Sequence, residues 1–208
     1  MNISDIACQI YAKLLYQPTN NQKKIVESFS EHLAEGDSST IFVLNGYAGT
    51  GKTTLVAAIV AALKNVGVRS VLLAPTGRAA KVLSRYSGEK ALTIHKRIYR
   101  ERTNASYESK FPLNINRDKD VIYIVDEASM LSANANSEGV LFGSGSLLED
   151  LVQYVRSGKN CRLVLVGDNA QLPPVGSPYS PALDETVMRG YGDVVYASMD
   201  DVVRQQAE

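Results

Sequence analysis

The sequence predicts an α/β fold in which a parallel β-sheet is covered by helices on both faces. Four short apolar runs alternate along the chain with segments of helical periodicity. Strands that are apolar at every position are typical of sheets buried on both faces. Polar side chains follow three of these runs, and ligands of such sheets bind beyond the carboxyl ends of the strands. We therefore expect a functional site at that edge.

The elements are predicted in order from periodicity and from the residues that interrupt it. Helices are expected over 3–16, 20–33, 52–65, 77–83 and 147–155. Strands are expected over 41–45, 70–74, 121–125, 162–166 and 194–196. Two segments lack periodicity and are predicted to be an inserted hairpin (98–120) and a mobile loop (132–146).

Length and composition limit the class of protein. The 208 residues suffice for an N-terminal helical segment (1–36) and one α/β domain (37–208) with an insertion at 98–120. No apolar run reaches the length of a membrane span, and no signal peptide is evident. Cys8 and Cys161 show no metal-ligand spacing, so we expect two small buried hydrophobic residues in a reducing cytoplasm.

The most specific motif is a glycine-rich loop between the first predicted strand and the helix that follows it. It fits the pattern G-x-x-x-x-G-K-[ST] of phosphate-binding loops. Its glycines allow successive backbone N–H groups to point at an anion, and its lysine supplies a mobile positive charge. Its threonine hydroxyl suits Mg²⁺, which prefers oxygen ligands. The predicted nucleotide-binding residues are Gly46, Tyr47, Ala48, Gly49, Thr50, Gly51, Lys52, Thr53 and Thr54.

Acidic and amide side chains follow two later strands. Asp126 and Glu127 come directly after the run 121–125. Beside a phosphate-binding loop, Asp126 is expected to hold Mg²⁺ with Thr53, and Glu127 to orient and deprotonate the attacking water. Gln171 follows the run 162–166 and could contact the γ-phosphate, because an amide both donates and accepts hydrogen bonds. The alternative for Gln171 is an exposed residue in a Pro-Gly turn.

Taken together, these blocks resemble the first motor domain of superfamily 1 DNA helicases, in the RecD-like branch. The resemblance extends over about 20–208, with five motifs in the family's order: 46–53, 74–81, 93–95, 125–130 and 166–176. It implies a RecA-like P-loop NTPase fold, with ATP and Mg²⁺ as cofactors. It also implies that Gln22 reads adenine and that Arg204 reaches the γ-phosphate, as a catalytic residue beside Lys52, Glu127 and Gln171.

The resemblance further implies a track for single-stranded DNA along the second and third motifs. On that basis Thr76, Arg78 and His95 are candidate DNA contacts. The window 69–120, with twelve basic and five acidic residues, is consistent with a polyanion-binding surface, although a solvated face explains the charge equally well. For His95 a structural histidine remains an alternative, and for Arg78 a surface salt bridge.

Within the inserted segment, the family carries a hairpin that helps to split the duplex. Tyr99, Tyr107 and Phe111 could stack on bases there, although a plain exposed loop is an equally good interpretation. The resemblance also implies 5′→3′ movement, a second RecA-like domain in the parent chain and a possible recombination or DNA repair complex.

The resemblance leads us to expect that this chain alone is weakly active or inactive, because the residues that the family carries after Arg204 are missing. Two other functions stay open at this stage. One is a nucleotide-gated DNA-binding module without translocation. The other is a small-molecule kinase, which the DNA-track motifs and the lack of an arginine-rich lid disfavour.

Overall fold

A computed structural model describes residues 3–35, 37–100, 102–103, 109–133 and 142–201. Its strands are β1 Ile41–Gly46, β2 Arg69–Ala74, β3 Ala91–Thr93, β4 Arg102–Thr103, β5 Ser109–Lys110, β6 Val121–Val125, β7 Arg162–Gly167 and β8 Val194–Met199. Its α-helices are α1 Ile3–Tyr11, α2 Asn20–Ala34, α3 Lys52–Asn65, α4 Gly77–Ser87, α5 Ile94–Ile98, α6 Leu147–Ser157 and α7 Glu185–Arg189. Two short 3₁₀ helices span Ala128–Met130 and Pro181–Leu183.

Six strands form one parallel sheet in the order β3-β2-β6-β7-β1-β8. The order reverses around β1, because two strands, β6 and β7, separate it from β2 while β8 returns to its other side. Such a reversal opens a crevice at the carboxyl edge of the sheet. The predicted α/β class with a parallel sheet is therefore confirmed.

Alternating strand residues supply two hydrophobic cores. On one face, Phe42 and Leu44 of β1 pack with α1, α2, α3 and α4. On the other face, Ile41 and Val43 pack with α5, α6 and the segment around α7. This alternation explains why the strands are apolar at every position, since both of their faces are covered.

Several predicted boundaries need correction. The first helix ends at Tyr11, well before residue 16, and Leu15 beyond it is 82% exposed. The helix that begins at Gly77 is longer than predicted and runs to Ser87, where Gly88 at φ 71° ends it in the left-handed conformation. Cys161 is buried as expected, whereas Cys8 is exposed, so its assignment to the core was wrong.

The inserted segment contains a short antiparallel pair, β4 with β5, extended by a bridge between Tyr99 and Leu113. This pairing agrees with a predicted hairpin. Tyr107 lies outside the described residues, as does 134–141 of the predicted mobile loop. The end of that loop packs into the protein, because the Phe142 ring stacks on Phe111 with centroids 4.6 Å apart.

Candidate functional site

The glycine-rich loop makes a tight turn between β1 and α3. Gly49 and Gly51 have φ values of 81° and 89°, in the left-handed region that side chains with a Cβ disfavour. Gly46 is needed for a different reason, because a Cβ there would lie 2.6 Å from the Cβ of Met199. The three glycines together let the backbone curl around the start of α3, as a phosphate-binding loop requires.

Lys52 is the first residue of α3, and its side chain folds back over the loop. Its ammonium group donates hydrogen bonds to the carbonyl oxygens of Gly46 and Tyr47, the latter at 2.7 Å. The same Nζ atom lies 3.5 Å from the carboxylate of Asp168, whose side chain is only 2% exposed. The positive charge is thus held at the mouth of the loop, beside a buried acid.

Asp168 was not among the predicted site residues. It follows β7 directly, and its Oδ1 accepts a hydrogen bond from the N–H of Ala170 at 2.8 Å. The available signal was its position after a buried strand, which is the same signal that identified Asp126. Its link to Lys52 joins residues far apart in the chain, so no local pattern reveals it.

Asp126 and Glu127 lie at the end of β6, in the centre of the sheet. Glu127 has φ 55° and ψ 37°, a left-handed conformation that is uncommon for a residue with a side chain. Such backbone strain costs on the order of 1–3 kcal/mol and often occurs at functional sites. Burial raises the pKa of Glu127, the neighbouring Asp126 and Asp168 raise it further, and Lys52 opposes them.

One cavity of about 580 Å³ brings most of the predicted residues together. It lies at the carboxyl edge of the sheet and has the size of a typical ligand pocket. Its predicted lining residues are Tyr47, Ala48, Gly49, Gly51, Lys52, Thr53, Thr54, Asp126, Glu127 and Gln171. Gly167, Asp168 and Tyr16 complete the lining, and sequence reasoning had proposed none of these three.

Gln22 lies beside the loop and outside that lining. Its side chain closes the capping box of α2, accepting from the N–H of Thr19 at 3.1 Å. Its Nε2 donates to the carbonyl oxygen of Thr50 at 3.4 Å. The amide keeps one further donor and one further acceptor position, which is the pair that a nucleobase edge would use. Tyr16, which is 72% exposed, is one of the residues that line the 580 Å³ cavity.

The oxygen atoms at this site fit a hard divalent cation. Thr53 and Asp126 line the same cavity and offer a hydroxyl and a carboxylate. Magnesium is usually held by one or two protein oxygens together with phosphate oxygens and water. In the described part of the chain, no group of three or more His, Cys, Asp or Glu residues could hold a metal ion by itself.

Two of the three candidate DNA residues lie next to the acidic pair. Thr76 and Arg78 share a cavity of about 290 Å³ with Asp126 and Glu127. The hydroxyl of Thr76 caps α4 by accepting from the N–H of Ala79 at 3.2 Å. Arg78 is exposed and forms no ion pair with any residue that the structure describes, so the salt-bridge interpretation finds no support there.

His95 lies apart from them, with α5 on the other face of the sheet. Its ring packs edge-on against Phe142 at 5.0 Å and beside Tyr99 at 5.5 Å. Burial lowers the pKa of His95, so the ring is neutral near pH 7. Tyr99 is itself buried and donates to Asp150, which leaves its ring unavailable for stacking on bases. Arg204 lies outside the described residues.

The fold and this cavity define a P-loop α/β domain of the RecA-like kind. The chain matches the AAA domain family over residues 19–208 and belongs to that family. In the described residues, no helix is long and apolar enough to cross a membrane.

Two curated relatives are helicases. The chain is 30% identical over 158 residues to the ATP-dependent RecD2 DNA helicase of Deinococcus radiodurans, matching 76% of this chain and 19% of that protein. It is 34% identical over 139 residues to the ATP-dependent DNA helicase dda of Enterobacteria phage T4, matching 64% and 28%. The chain thus spans less than a third of the length of these relatives. They confirm its resemblance to the RecD-like motor domains of superfamily 1.

A solved structure shows the same fold. The crystal structure of Pif1 helicase from Candida albicans superposes with a TM-score of 0.52, at 19% identity, over 93% of this chain and 42% of that one. At this identity the likeness concerns the fold alone.

Proposed function

We propose that this chain is the first motor domain of a RecD-like DNA helicase, which binds and hydrolyses ATP with Mg²⁺ and moves 5′→3′ on single-stranded DNA. The observation that carries the proposal is the single cavity shared by Lys52, Thr53, Asp126, Glu127 and Gln171. The similarity to two ATP-dependent DNA helicases supports the proposal.

The residues at the phosphate end have distinct tasks. When a nucleotide binds, the ammonium group of Lys52 gives up its hydrogen bonds to the carbonyl oxygens of Gly46 and Tyr47. It then neutralises the charge of the β- and γ-phosphates, for which its three donors and flexible stem are suited. Thr53 and Asp126 hold the cation, which when bound neutralises charge on the phosphate oxygens. The backbone N–H groups of the loop orient the phosphates without any further charge.

Glu127 accepts the proton of the attacking water. Its raised pKa brings the carboxylate closer to the working pH, where a general base is most effective. Gln171 is exposed at the rim of the cavity, so its amide can contact the γ-phosphate and signal its loss. We assign Arg204 the same reporting task from the side of a second RecA-like domain, and Gln22 the adenine.

The DNA track lies on α4 in this proposal. Thr76 and Arg78 are suited to contact phosphates, because a helix N-terminus and an exposed guanidinium both favour anions. His95 is the weakest of the three candidates, since its neutral ring is packed among aromatic residues. A role in a cytoplasmic recombination or repair complex would follow from such a motor.

Variants at Lys52 and Glu127 separate nucleotide binding from hydrolysis. Lys52→Ala should weaken binding of a non-hydrolysable ATP analogue about 10–100-fold, because hydrogen bonds from a charged donor are lost. Glu127→Gln should bind normally and hydrolyse about 10²–10⁴-fold more slowly, because only the base is removed. Calorimetry of binding and steady-state ATPase rates measure these effects. Equal binding by wild type and Lys52→Ala would contradict the proposed nucleotide site.

The DNA substrate is tested with the protein encoded by the complete reading frame. Single-stranded DNA should raise its ATPase rate, and Glu127→Gln should abolish that stimulation. Unwinding of substrates with a single 5′ or 3′ tail reports polarity, and only the 5′-tailed substrate should be opened. If ATP promotes DNA binding but DNA does not raise the ATPase rate, the protein would instead be a nucleotide-gated DNA-binding module.

A further inference from the structure

Tyr86 connects α4 to the acid that is proposed to hold the cation. Its hydroxyl donates a hydrogen bond of 2.6 Å to Oδ2 of Asp126. Within the described residues, no other side chain forms a hydrogen bond with that carboxylate. The motifs of the sequence do not include Tyr86, because it lies 40 residues from its partner and at the far end of the helix from Thr76.

The position of Tyr86 is fixed by a well-anchored helix. Leu83, one turn earlier, is fully buried. Ser84 accepts a hydrogen bond from the N–H of Ala91 at 2.7 Å, which ties the end of α4 to β3. The Tyr86 ring packs against the core on this face of the sheet. The hydroxyl is therefore presented to Asp126 by a rigid element.

The backbone of Asp126 is held from the same direction. Its N–H donates to the carbonyl oxygen of Leu73 in β2, at 3.0 Å. Main chain and side chain of this acid are thus both anchored by the β2–α4 unit. A tyrosine hydroxyl is ordinarily protonated near neutral pH and a carboxylate only accepts, so Tyr86 is the donor of this pair.

Tyr86 also lies close to the other proposed cation ligand. Tyr86 and Thr53 both line one cavity of about 410 Å³ beside α3. Residues that hydrogen-bond a metal ligand orient it, and their loss typically costs 10–100-fold in metal affinity or activity. Tyr86 has the location and the hydrogen bond of such a residue.

We propose that Tyr86 is a positioning residue for the divalent cation, whose hydroxyl fixes the Asp126 carboxylate and leaves the second carboxylate oxygen for the metal. This inference rests on the proposed function, because it assumes that a nucleotide binds with a cation at Asp126. It assigns to the C-terminal end of α4 a task at the ATP site, while the predicted DNA contacts lie at its N-terminal end.

Tyr86→Phe tests the hydroxyl while keeping the ring that packs on the core. Binding of a non-hydrolysable ATP analogue would be titrated with Mg²⁺ by calorimetry, and again in EDTA. The Mg²⁺ concentration for half-maximal binding should rise about 10-fold. Affinity in EDTA should stay unchanged, because the hydroxyl of Tyr86 forms its hydrogen bond with Asp126 and none with the described residues of the glycine-rich loop.

Tyr99→Phe is a matched control. Its hydroxyl donates to Oδ2 of Asp150, also at 2.6 Å, on the opposite face of the sheet. This variant should lower the melting temperature without changing the Mg²⁺ requirement. A second measurement uses Asp126→Asn, in which adding Tyr86→Phe should raise the Mg²⁺ requirement no further if Tyr86 acts through Asp126.

The outcomes are distinguishable. An unchanged Mg²⁺ requirement in Tyr86→Phe, with Mg²⁺-dependent binding in wild type, would overturn the positioning role alone. If Tyr86→Phe and Tyr99→Phe raise the Mg²⁺ requirement equally, the effect of Tyr86 is one of general stability, and the positioning role is overturned as well. If wild type binds the analogue without regard to Mg²⁺, the proposed cation site fails and this inference fails with it.

Discussion

At the residue scale, the nucleotide site contains residues whose conformation or burial lowers the stability of the folded state. Glu127 adopts a left-handed backbone conformation, and Asp168 is a buried acid beside Lys52. Each of these features destabilises the folded chain unless the surrounding structure compensates. Both residues line the same cavity at the carboxyl edge of the sheet.

Gly46 provides a residue-scale test of the tight turn. Gly46→Ala should lower the free energy of unfolding by about 1–3 kcal/mol, because its Cβ would overlap Met199 and overpacking costs this much. Gly77→Ala is the matched control, since nothing lies within 4 Å of its Cβ and its φ is not positive. It should be neutral or slightly stabilising. Urea denaturation of both variants measures the difference, and equal stability would refute the overlap with Met199.

At the element scale, the sequence predicted what local patterns encode. The central strands and the glycine-rich loop were recognisable because apolar runs and turn residues are contiguous in the chain. Short elements such as β3 and α5 were missed, because three to five residues carry too little periodicity. The Lys52–Asp168 and Tyr86–Asp126 contacts were also missed, because they arise only when distant strands become neighbours.

Helix α4 allows its capping role and its proposed DNA role to be separated. Thr76→Ala should lower the free energy of unfolding by about 1 kcal/mol, because the hydrogen bond to the N–H of Ala79 is lost. Thr76→Ser keeps a hydroxyl and should restore stability. If Thr76 also contacts DNA, Thr76→Ala should weaken single-stranded DNA binding under conditions where both variants are fully folded. A Thr76→Ala variant as stable as wild type would contradict the cap.

At the scale of the whole molecule, both cores pack on the same strands, so protonating one buried side chain would destabilise the entire fold. His32 of α2 is the clearest case. It is buried beside Phe42, and neither ring nitrogen has a hydrogen-bond partner among the described residues. Burial, with the nearby charge of Arg162, lowers the pKa of His32 to about 4.

This shift predicts an acid-sensitive fold. The neutral ring is favoured in the folded state, whereas the unfolded chain takes up a proton at about pH 6.5. Stability should therefore be lost as the pH falls from 6.5 towards 4, by about 3 kcal/mol in total. His32→Leu removes this contribution while keeping an apolar side chain of similar volume. Urea denaturation measures the free energy of unfolding of both proteins between pH 7 and pH 4. The difference between the two free energies should be constant near neutral pH and should change steadily below pH 6.5, as the wild type loses stability. Parallel curves over the whole range would show that His32 is not protonated on unfolding.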